Sequence, residues 1–539
     1  MTGTSNDSRS HSSDLPAGVA SFDLVIGMEV HVELTTRTKM FTRAPSPVWA
    51  DAAGEPEPTP NTLIDPVVLA LPGALPVMNK AAVEISMRVG LALGCEIAGF
   101  SKWDRKGYFY PDLPKGYQLS QYDLPLCFDG AVDVPTLDDA GFIDPDGPVR
   151  RVRIERAHLE EDAGKLLHEP PSADTPGWQG GPVHGSIVDW NRAGTPLLEI
   201  VTAPDLRSAA EAVSYGRLLR DLCRWLDASP GVMQRGHMRF EPNINGVLKL
   251  TDGRTVKTPI VEIKNLNSFR ALRDAIEFER RAQPGRWAED GAEFGPGTKT
   301  TRGWDDARSV TVLQRSKEDA HDYRYFPDPD LPPVVVDDAW LEAVRASLPE
   351  LPAERRERYT EVLGLSVRDA AALLDERAVS DVFDEAVRIA ADSGVGRSAA
   401  ARAACGLILQ AAARLANERS VALASVGLRA DRLAEIVQLR DAGDVSANAA
   451  EELLAASLDE PATDARALAE ARGLLAVRDT AALDAWCDEA IEAHAEPAQQ
   501  VRDGNDKALG RLIGDVRKRS GGQADAAMVR EHLLKKLRD

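Results

Sequence analysis

Three polar side chains open the chemistry of this chain. Glu29, His31 and Glu33 alternate with Leu24, Ile26, Met28, Val30, Val32 and Leu34. Strict period 2 predicts a half-buried strand, so the three polar groups share the face opposite the apolar set. Two carboxylates and an imidazole on one face suit a hard divalent cation such as magnesium, although histidine is an uncommon ligand for it. A solvated strand face is the alternative reading. Further on, Glu160, Glu161 and Asp162 follow His158. Three consecutive carboxylates repel one another unless water, a metal or an arginine cluster relieves them. Glu199 sits in Pro196-Leu-Leu-Glu-Ile-Val201, otherwise a buried strand by composition. An unpaired buried carboxylate is costly, so a partner is expected, either a salt bridge or a shared metal.

A second set is cationic. Lys102 to Pro111 interleaves Arg105 and Lys106 with Tyr108, Phe109 and Tyr110, and Lys115 follows. Cations among aromatics suit phosphate and base or ribose contacts, and core packing accounts for the rings equally well. Glu262 and Lys264 share a strand face, and the loop from Ser316 to Pro327 gathers Lys317, His321, Asp322, Arg324 and Tyr325. No G-x-x-x-x-G-K-[ST] loop is present, nor H-E-x-x-H, a nucleophile elbow or a protein-kinase set. Use of ATP by such a chain would rest on a carboxylate-bound metal and scattered Arg and Lys. That is chemically adequate, because phosphoryl transfer needs positioning and charge neutralisation more than covalent help.

The elements that must position these groups follow from composition and periodicity. A chain of 539 residues is too long for one core and predicts two to four domains. Residues 1–20 read as a disordered, Ser-rich extension without the apolar stretch of a secretory signal. Residues 21–337 mix strands with Gly/Pro-rich loops and helices, notably Arg207 to Leu226 and Ser268 to Arg281. Glu169 to Gly181 and Pro284 to Gly297 read as loops. The absence of βαβ regularity predicts an α+β class. Residues 338–472 predict an all-helical domain, with a capping box at Ser366 and Asp369 and a helix end at Asp392-Ser-Gly. Residues 475–481 read as a junction, and 473–539 as a small helical tail domain. No run of about 18 apolar residues is present, so no membrane span is expected.

Five scattered cysteines without a C-x-x-C pair point to a reducing, cytoplasmic compartment. The net charge of −21 argues against nonspecific nucleic-acid binding by the whole surface. From Gly504 to Asp539, however, nine Lys and Arg face five Asp and Glu. There Lys507, Arg511 and Lys518 fall at helical spacings on one face, suited to a phosphate backbone, with a solvated helix as the alternative. Gly510 and Gly514 stand one turn apart and predict a close helix approach.

The ordered segments together closely resemble the GatB family, the B subunit of the tRNA-dependent glutamyl/aspartyl-tRNA amidotransferase. They are Val25-Ile-Gly-Met-Glu-Val-His-Val-Glu-Leu34, Leu71-Pro-Gly-Ala-Leu-Pro-Val77, and Asp104-Arg-Lys-Gly-Tyr-Phe-Tyr-Pro-Asp-Leu-Pro-Lys-Gly-Tyr-Gln118. His158-Leu-Glu-Glu-Asp-Ala-Gly-Lys165, Asn191-Arg-Ala-Gly-Thr-Pro-Leu-Leu-Glu-Ile-Val201 and Lys264-Asn-Leu-Asn-Ser-Phe269 follow, then Thr301-Arg-Gly-Trp-Asp305 and His321-Asp-Tyr-Arg-Tyr-Phe-Pro327.

The resemblance implies a glutamine-synthetase-like cradle (residues 21–337), a helical domain and a tRNA-binding tail. It also implies an ATP- and magnesium-dependent carbon–nitrogen ligase. The side-chain carboxylate of glutamate or aspartate on a misacylated tRNA is phosphorylated, and ammonia from a glutaminase A subunit displaces the phosphate. A small C subunit completes the implied heterotrimer. Carried over residue by residue, Glu29, Glu161 and Glu199 are the catalytic candidates, and Glu29, His31, Glu160, Glu161 and Glu199 the metal ligands. Lys106, Lys264, Arg302 and Arg324 are the candidate phosphate or acyl-adenosine contacts. Two departures stand out. Phe41-Thr-Arg-Ala44 and Asp65-Pro-Val-Val68 lack the cysteine pairs of many relatives, so no zinc is expected. The segment Gln234-Arg-Gly-His-Met-Arg-Phe-Glu-Pro-Asn243 replaces a glutamate pair by Gln234-Arg235, which puts a catalytic role for that strand in doubt. The rival readings are a stand-alone ligase of the glutamine-synthetase type, which would turn over ATP without tRNA, and a non-catalytic tRNA-binding scaffold with a decayed metal site.

Overall fold

The alternating run predicted from the sequence forms strand β1 (Val19–Glu33), with Phe22, Leu24, Ile26, Met28, Val30 and Val32 buried on one face. The computed structural model describes residues 15–138, 143–144, 146–167, 185–316, 323–476, 480–520, 524 and 526–538. The predicted loop 169–181, residues 477–479 of the predicted junction, and Lys317, His321 and Asp322 lie outside these. β1 starts two residues inside the predicted 1–20 extension, because Val19 already pairs with Leu250 and is buried.

β1 lies near the middle of a sheet that has 13 strands among the described residues. The strands that build the site are β2 (Asp104–Gly107), β3 (Tyr117–Ser120), β4 (Cys127–Pro135), β5 (Val149–Glu161), β6 (Pro196–Thr202), β7 (Met238–Leu250), β8 (Val261–Lys264), β9 (Thr300–Asp305), β10 (Val310–Ser316) and β11 (Phe326–Pro327). Their order is β10-β9-β8-β7-β1-β6-β5-β3-β2-β11, with β4 also paired to β5. All neighbours in this row are antiparallel except β8 and β9. The class is therefore mixed α+β with a largely antiparallel sheet.

Helices α1 (Lys80–Ala92), α2 (Ala209–Trp225) and α3 (Phe269–Asp290) pack against the sheet. Phe240 of β7, opposite Val30, contacts Phe269 at 5.5 Å between ring centroids. A Cβ on Gly216 would sit 2.8 Å from Phe269, so the α2–α3 crossing requires glycine there. Ser208 and Ser268 cap α2 and α3 by accepting from the backbone N–H of Glu211 and Ala271. The predicted loop at Pro284 is corrected: α3 continues through it to Asp290 and ends at Gly291 in the left-handed conformation. Pro284 is buried, and Gln283 beside it exchanges hydrogen bonds with Thr258 and the Ile244 carbonyl, so tertiary contacts outweigh the missing N–H.

The chain divides into two compact units after Leu351. The predicted boundary at 337/338 moves accordingly. Helix α4 (Asp338–Ala346) belongs to the first unit, where Trp340 donates to Glu84 at 2.9 Å and lies under the Lys80 ammonium at 5.0 Å.

The second unit is helical. One hydrophobic cluster runs from Tyr359 to Ala469 and another from Leu483 to Leu537. Ser366 caps α5 (Val367–Leu373) through Asp369, and α6 (Arg377–Asp392) ends before Gly394. Among the described residues, one helix, Arg397–Arg419, is long and apolar enough to cross a membrane. Its Ala400, Ala404, Leu407, Ile408 and Ala411 are buried in the helical cluster. The last cluster is formed by α7 (Thr480–Ala493), α8 (Ala495–Arg502), α9 (Leu509–Arg519) and α10 (Ala526–Arg538). Gly510 and Gly514 are exposed, and a Cβ on either would meet nothing within 4 Å. Among the described residues nothing makes the expected close approach, because α9 turns Leu509, Leu512 and Val516 inward and the glycines outward.

Candidate active site

On the sheet face opposite α2 and α3, a row of ionisable side chains crosses seven strands. Register explains it: cross-strand partners share a face. Glu29 of β1 lies opposite Glu241 of β7, and His31 lies opposite Glu199 of β6. Glu199 in turn lies opposite His158 of β5, and Glu160, two residues on, opposite Ser120 of β3. Lys264 of β8 closes one end of the row on Glu241 at 2.5 Å, and Lys106 of β2 closes the other, 3.7 Å from Glu160.

Between these ends the ionic contacts are loose. His31 Nε2 is 3.8 Å from Glu29 and 3.4 Å from Glu199; His158 Nε2 is 3.5 Å from Glu160 and 3.7 Å from Glu199; Arg156 is 3.6 Å from Glu199. Direct charge-assisted hydrogen bonds are shorter, about 2.7–2.9 Å. The buried Nδ1 atoms of both histidines have no hydrogen-bond partner among the described residues. Glu160 is the best anchored member, accepting from Ser120 at 2.7 Å and Gln118 at 3.0 Å.

The electrostatics follow from crowding. Burial and the charge of Glu199 raise the Glu29 carboxyl above its usual value, with His31 offsetting part of the shift. Burial disfavours the His31 imidazolium, yet the hydrogen bond and charge of Glu199, with Glu241 and Glu29, push it up to about 9. Burial likewise opposes ionisation of Glu160 and Glu199. Lys106 with His158 holds Glu160 ionised, and His158 with His31 does the same for Glu199. Protonated His31 is thus a counter-charge for a ring of carboxylates.

A divalent cation fits the same place. Ligand atoms of His31, Glu160 and Glu199 lie within 4.8 Å of one another, as do those of Glu29, His31 and Glu241. Octahedral magnesium at about 2.1 Å from its donors needs spacings of about 3–4.2 Å. One or two carboxylates from either group, with water and phosphate completing the shell, are the donors magnesium takes, and the His31 imidazole is the uncommon member.

Two carried-over residues fall elsewhere. Glu161 points to the other side of β5, a correction to its place in the metal set: it is buried against Lys115 and accepts from the Leu119 N–H at 3.0 Å. The alternation could have shown this, since Leu159 is buried on the apolar face and Glu161 shares its parity. Arg302 pairs in register with buried Ile263, so it lies on the face opposite Lys264. It donates to the Thr311 side chain and carbonyl and sits 3.7 Å from Glu279 of α3, away from the carboxylate row. Arg324 is exposed with a positive φ of 50°, between Tyr323 and Tyr325. His158 and Glu241 join the site although neither was singled out as a ligand. The i, i+2 spacing of His158 and Glu160 carried the first signal; the second needed the β1–β7 pairing.

Glu33 also leaves the row. With Asp162, Arg192 and Arg239 it forms a separate buried network, in which Arg239 is bonded to Asp162. Burial and Asp162 push the Glu33 carboxyl up to about 8. Burial opposes the Asp162 charge, but Arg192 and Arg239 hold its carboxyl down to about 2. Glu33 also lines a polar cavity of about 670 Å³ with Asp51, Arg192, Arg235 and His237. At the segments expected to lack zinc ligands, Ala44 and Val68 pack with Leu113 and Ala193, and Thr42 bonds Asp65.

A mixed α+β protein with an acidic row on a largely antiparallel sheet is the class that fold and site define. The family model described as the GatB/GatE catalytic domain matches residues 24–342, and that described as the GatB domain matches residues 381–537. A relative from Anaeromyxobacter sp. (strain Fw109-5), named as the B subunit of an aspartyl/glutamyl-tRNA(Asn/Gln) amidotransferase, is 43% identical over 519 residues, covering 96% of this chain and 99% of its own. One of the same name from Synechococcus elongatus is 41% identical over 517 residues, with 96% and 98% covered. The chain belongs to the GatB family, the B subunits of the tRNA-dependent amidotransferase, a carbon–nitrogen ligase.

Proposed function

We propose that this chain activates the side-chain carboxylate of glutamate or aspartate wrongly esterified to tRNA(Gln) or tRNA(Asn), using ATP, and completes its conversion to the amide. A carboxylate oxygen attacks the γ-phosphorus of ATP and ADP leaves; ammonia then attacks the acyl carbon, phosphate leaves and a proton is released. The convergence of Glu29, His31, Glu160, Glu199 and Glu241 on one sheet face carries this reading. Bound there, magnesium would neutralise the transferring phosphoryl group. Lys106 and Lys264, at the two ends of the row, would meet phosphate oxygens. Ionised Glu199 orients His31 and His158. Ammonia comes from a glutaminase A subunit, with a small C subunit completing the heterotrimer. The domain scheme of this reading is a glutamine-synthetase-like cradle, a helical domain and a tRNA-binding tail.

The test is to co-express the three subunits and follow phosphate release with each misacylated tRNA. Glu199→Ala and Glu29→Ala should abolish phosphorylation while the complex still assembles; full amide formation by either variant removes that residue from the site. For the tail, Lys507, Arg511 and Lys518 are exposed on α9 and the turn before it. Each change to Ala should lower the slope of log affinity against log salt by about 1, and an unchanged slope excludes that residue.

A further inference from the structure

The first half of strand β5 carries four arginines, and three of them are closed on carboxylates. Arg150 donates to Glu211 through two N–H groups at 2.9 and 3.0 Å, Arg153 bonds Asp205 at 2.8 and 2.9 Å, and Arg151 bonds Asp133 at 3.1 Å. Arg156 differs. Its guanidinium makes no hydrogen bond among the described residues, and its ionic contact there is Glu199 at 3.6 Å. Glu199 is already flanked by His31 at 3.4 Å and His158 at 3.7 Å. The Arg156 side chain is 38% exposed, so an incoming group can reach it. A guanidinium presents a rigid fork of donors that matches a phosphate through two parallel hydrogen bonds.

Register fixes where this fork stands. Arg156 lies opposite Val201 of β6, Val201 opposite Glu29 of β1, and Glu29 opposite Glu241 of β7. Cross-strand partners share a face, so all four side chains stand on the face of the carboxylate row. Neighbouring strands are about 4.8 Å apart, which puts about 10 Å between the backbones of Arg156 and Glu29. Half-buried Val201 is the apolar floor of that interval. An anion lying over Val201 has Glu29, His31 and Glu241 on one side and the Arg156 fork on the other. The lysines stand at the ends of the row: Lys264 is bonded to Glu241 at 2.5 Å, and Lys106 is 3.7 Å from Glu160.

We propose that Arg156 is a catalytic residue of the activation step, holding the transferring γ-phosphoryl group of ATP over Val201 by two hydrogen bonds to its nonbridging oxygens. This rests on the function proposed above. In that step a side-chain carboxylate oxygen of the aminoacyl group bonds to the γ-phosphorus. The bond from that phosphorus to the β,γ-bridging oxygen breaks, and ADP leaves with the electron pair. No proton moves, and the guanidinium stays charged throughout. Four carboxylates in the row repel an incoming phosphate, and charge spread over the equatorial oxygens is best met by donors fixed at that point. A lysine there would supply charge without the fork. The loose contact with Glu199 lets the fork turn to the phosphate without breaking a hydrogen bond.

Kinetics and direct binding test the proposal. In the three-subunit complex, Arg156→Ala should lower kcat for phosphate release with misacylated tRNA by about a hundredfold to a thousandfold, with KM for ATP and for acyl-tRNA at the wild-type level. Arg156→Lys should recover only part of the loss. Guanidinium chloride added to Arg156→Ala should restore part of the turnover, whereas sodium chloride at the same concentration should not. In titrations of the full chain with magnesium present, aluminium fluoride should tighten ADP binding by the wild type and leave that of Arg156→Ala unchanged. Wild-type kcat in Arg156→Ala, or equal tightening in both proteins, overturns the proposal. So does a loss of Mn²⁺ affinity of about tenfold in Arg156→Ala, which makes the arginine a support for Glu199. A wild-type complex that releases no phosphate defeats the proposed function, and the ADP titration still decides whether Arg156 meets a phosphoryl group.

Discussion

Glu160 and Glu161 are consecutive residues with opposite surroundings, and they separate two kinds of charged region in this protein. Glu160 faces the carboxylate row, where ionic contacts run from 3.4 to 3.8 Å except at Lys264 and Glu241. Glu161 faces the other side of the strand, closed tightly by Lys115 and the Leu119 N–H. The Asp162–Arg239 pair is closed in the same way. The difference teaches that a count of acids does not make a metal site. Loose pairing around shared space leaves carboxylate oxygens available to a cation, whereas Glu161 is held by its direct partners.

The largest effect that would sharpen this contrast is on stability. Asp162→Ala removes the carboxylate bonded to Arg239, leaves it, among the described residues, only Glu33 at 3.5 Å, and should cost about 3 kcal/mol, read from denaturant unfolding of the full chain. A loss below about 1 kcal/mol would mean that the network is not closed. Next comes metal affinity. Glu160→Gln should weaken Mn²⁺ binding at least about tenfold to a hundredfold, whereas Glu161→Gln should leave it unchanged, by calorimetric titration. The reverse order would move the metal to the Lys115 side and break the comparison.

The smallest effect concerns Lys39, buried on the paired side, where its ammonium donates to the Trp190 carbonyl at 3.3 Å. Burial lowers it to about 8, with Asp65, Asp189 and Glu161 resisting. An amine whose folded value lies below its unfolded one gains stability as pH rises between the two. The stability of the wild type relative to Lys39→Met should therefore climb by about 1–2 kcal/mol from pH 8 to pH 10 in pH-dependent melting. A difference that stays flat across that range would show that Lys39 carries no such shift.

Much of this was legible in the residues. Period-2 alternation placed Glu29 and His31 on one face of a strand, Ser366 and Asp369 capped a helix, and the ordered motifs identified the family. Those readings depend on neighbours in sequence, whose geometry the backbone fixes. Three things were decided only by tertiary structure. Strand pairing brought Glu241 to Glu29 and Glu199 to His31, because register joins residues up to about two hundred positions apart. The buried side of α3 carried a helix through Pro284, since its contacts there exceed the local propensity. Which side of the sheet Arg302 serves was set by its pairing with Ile263. Local chemistry named the charged groups; only the packing of distant strands determined which of them face one another across the sheet.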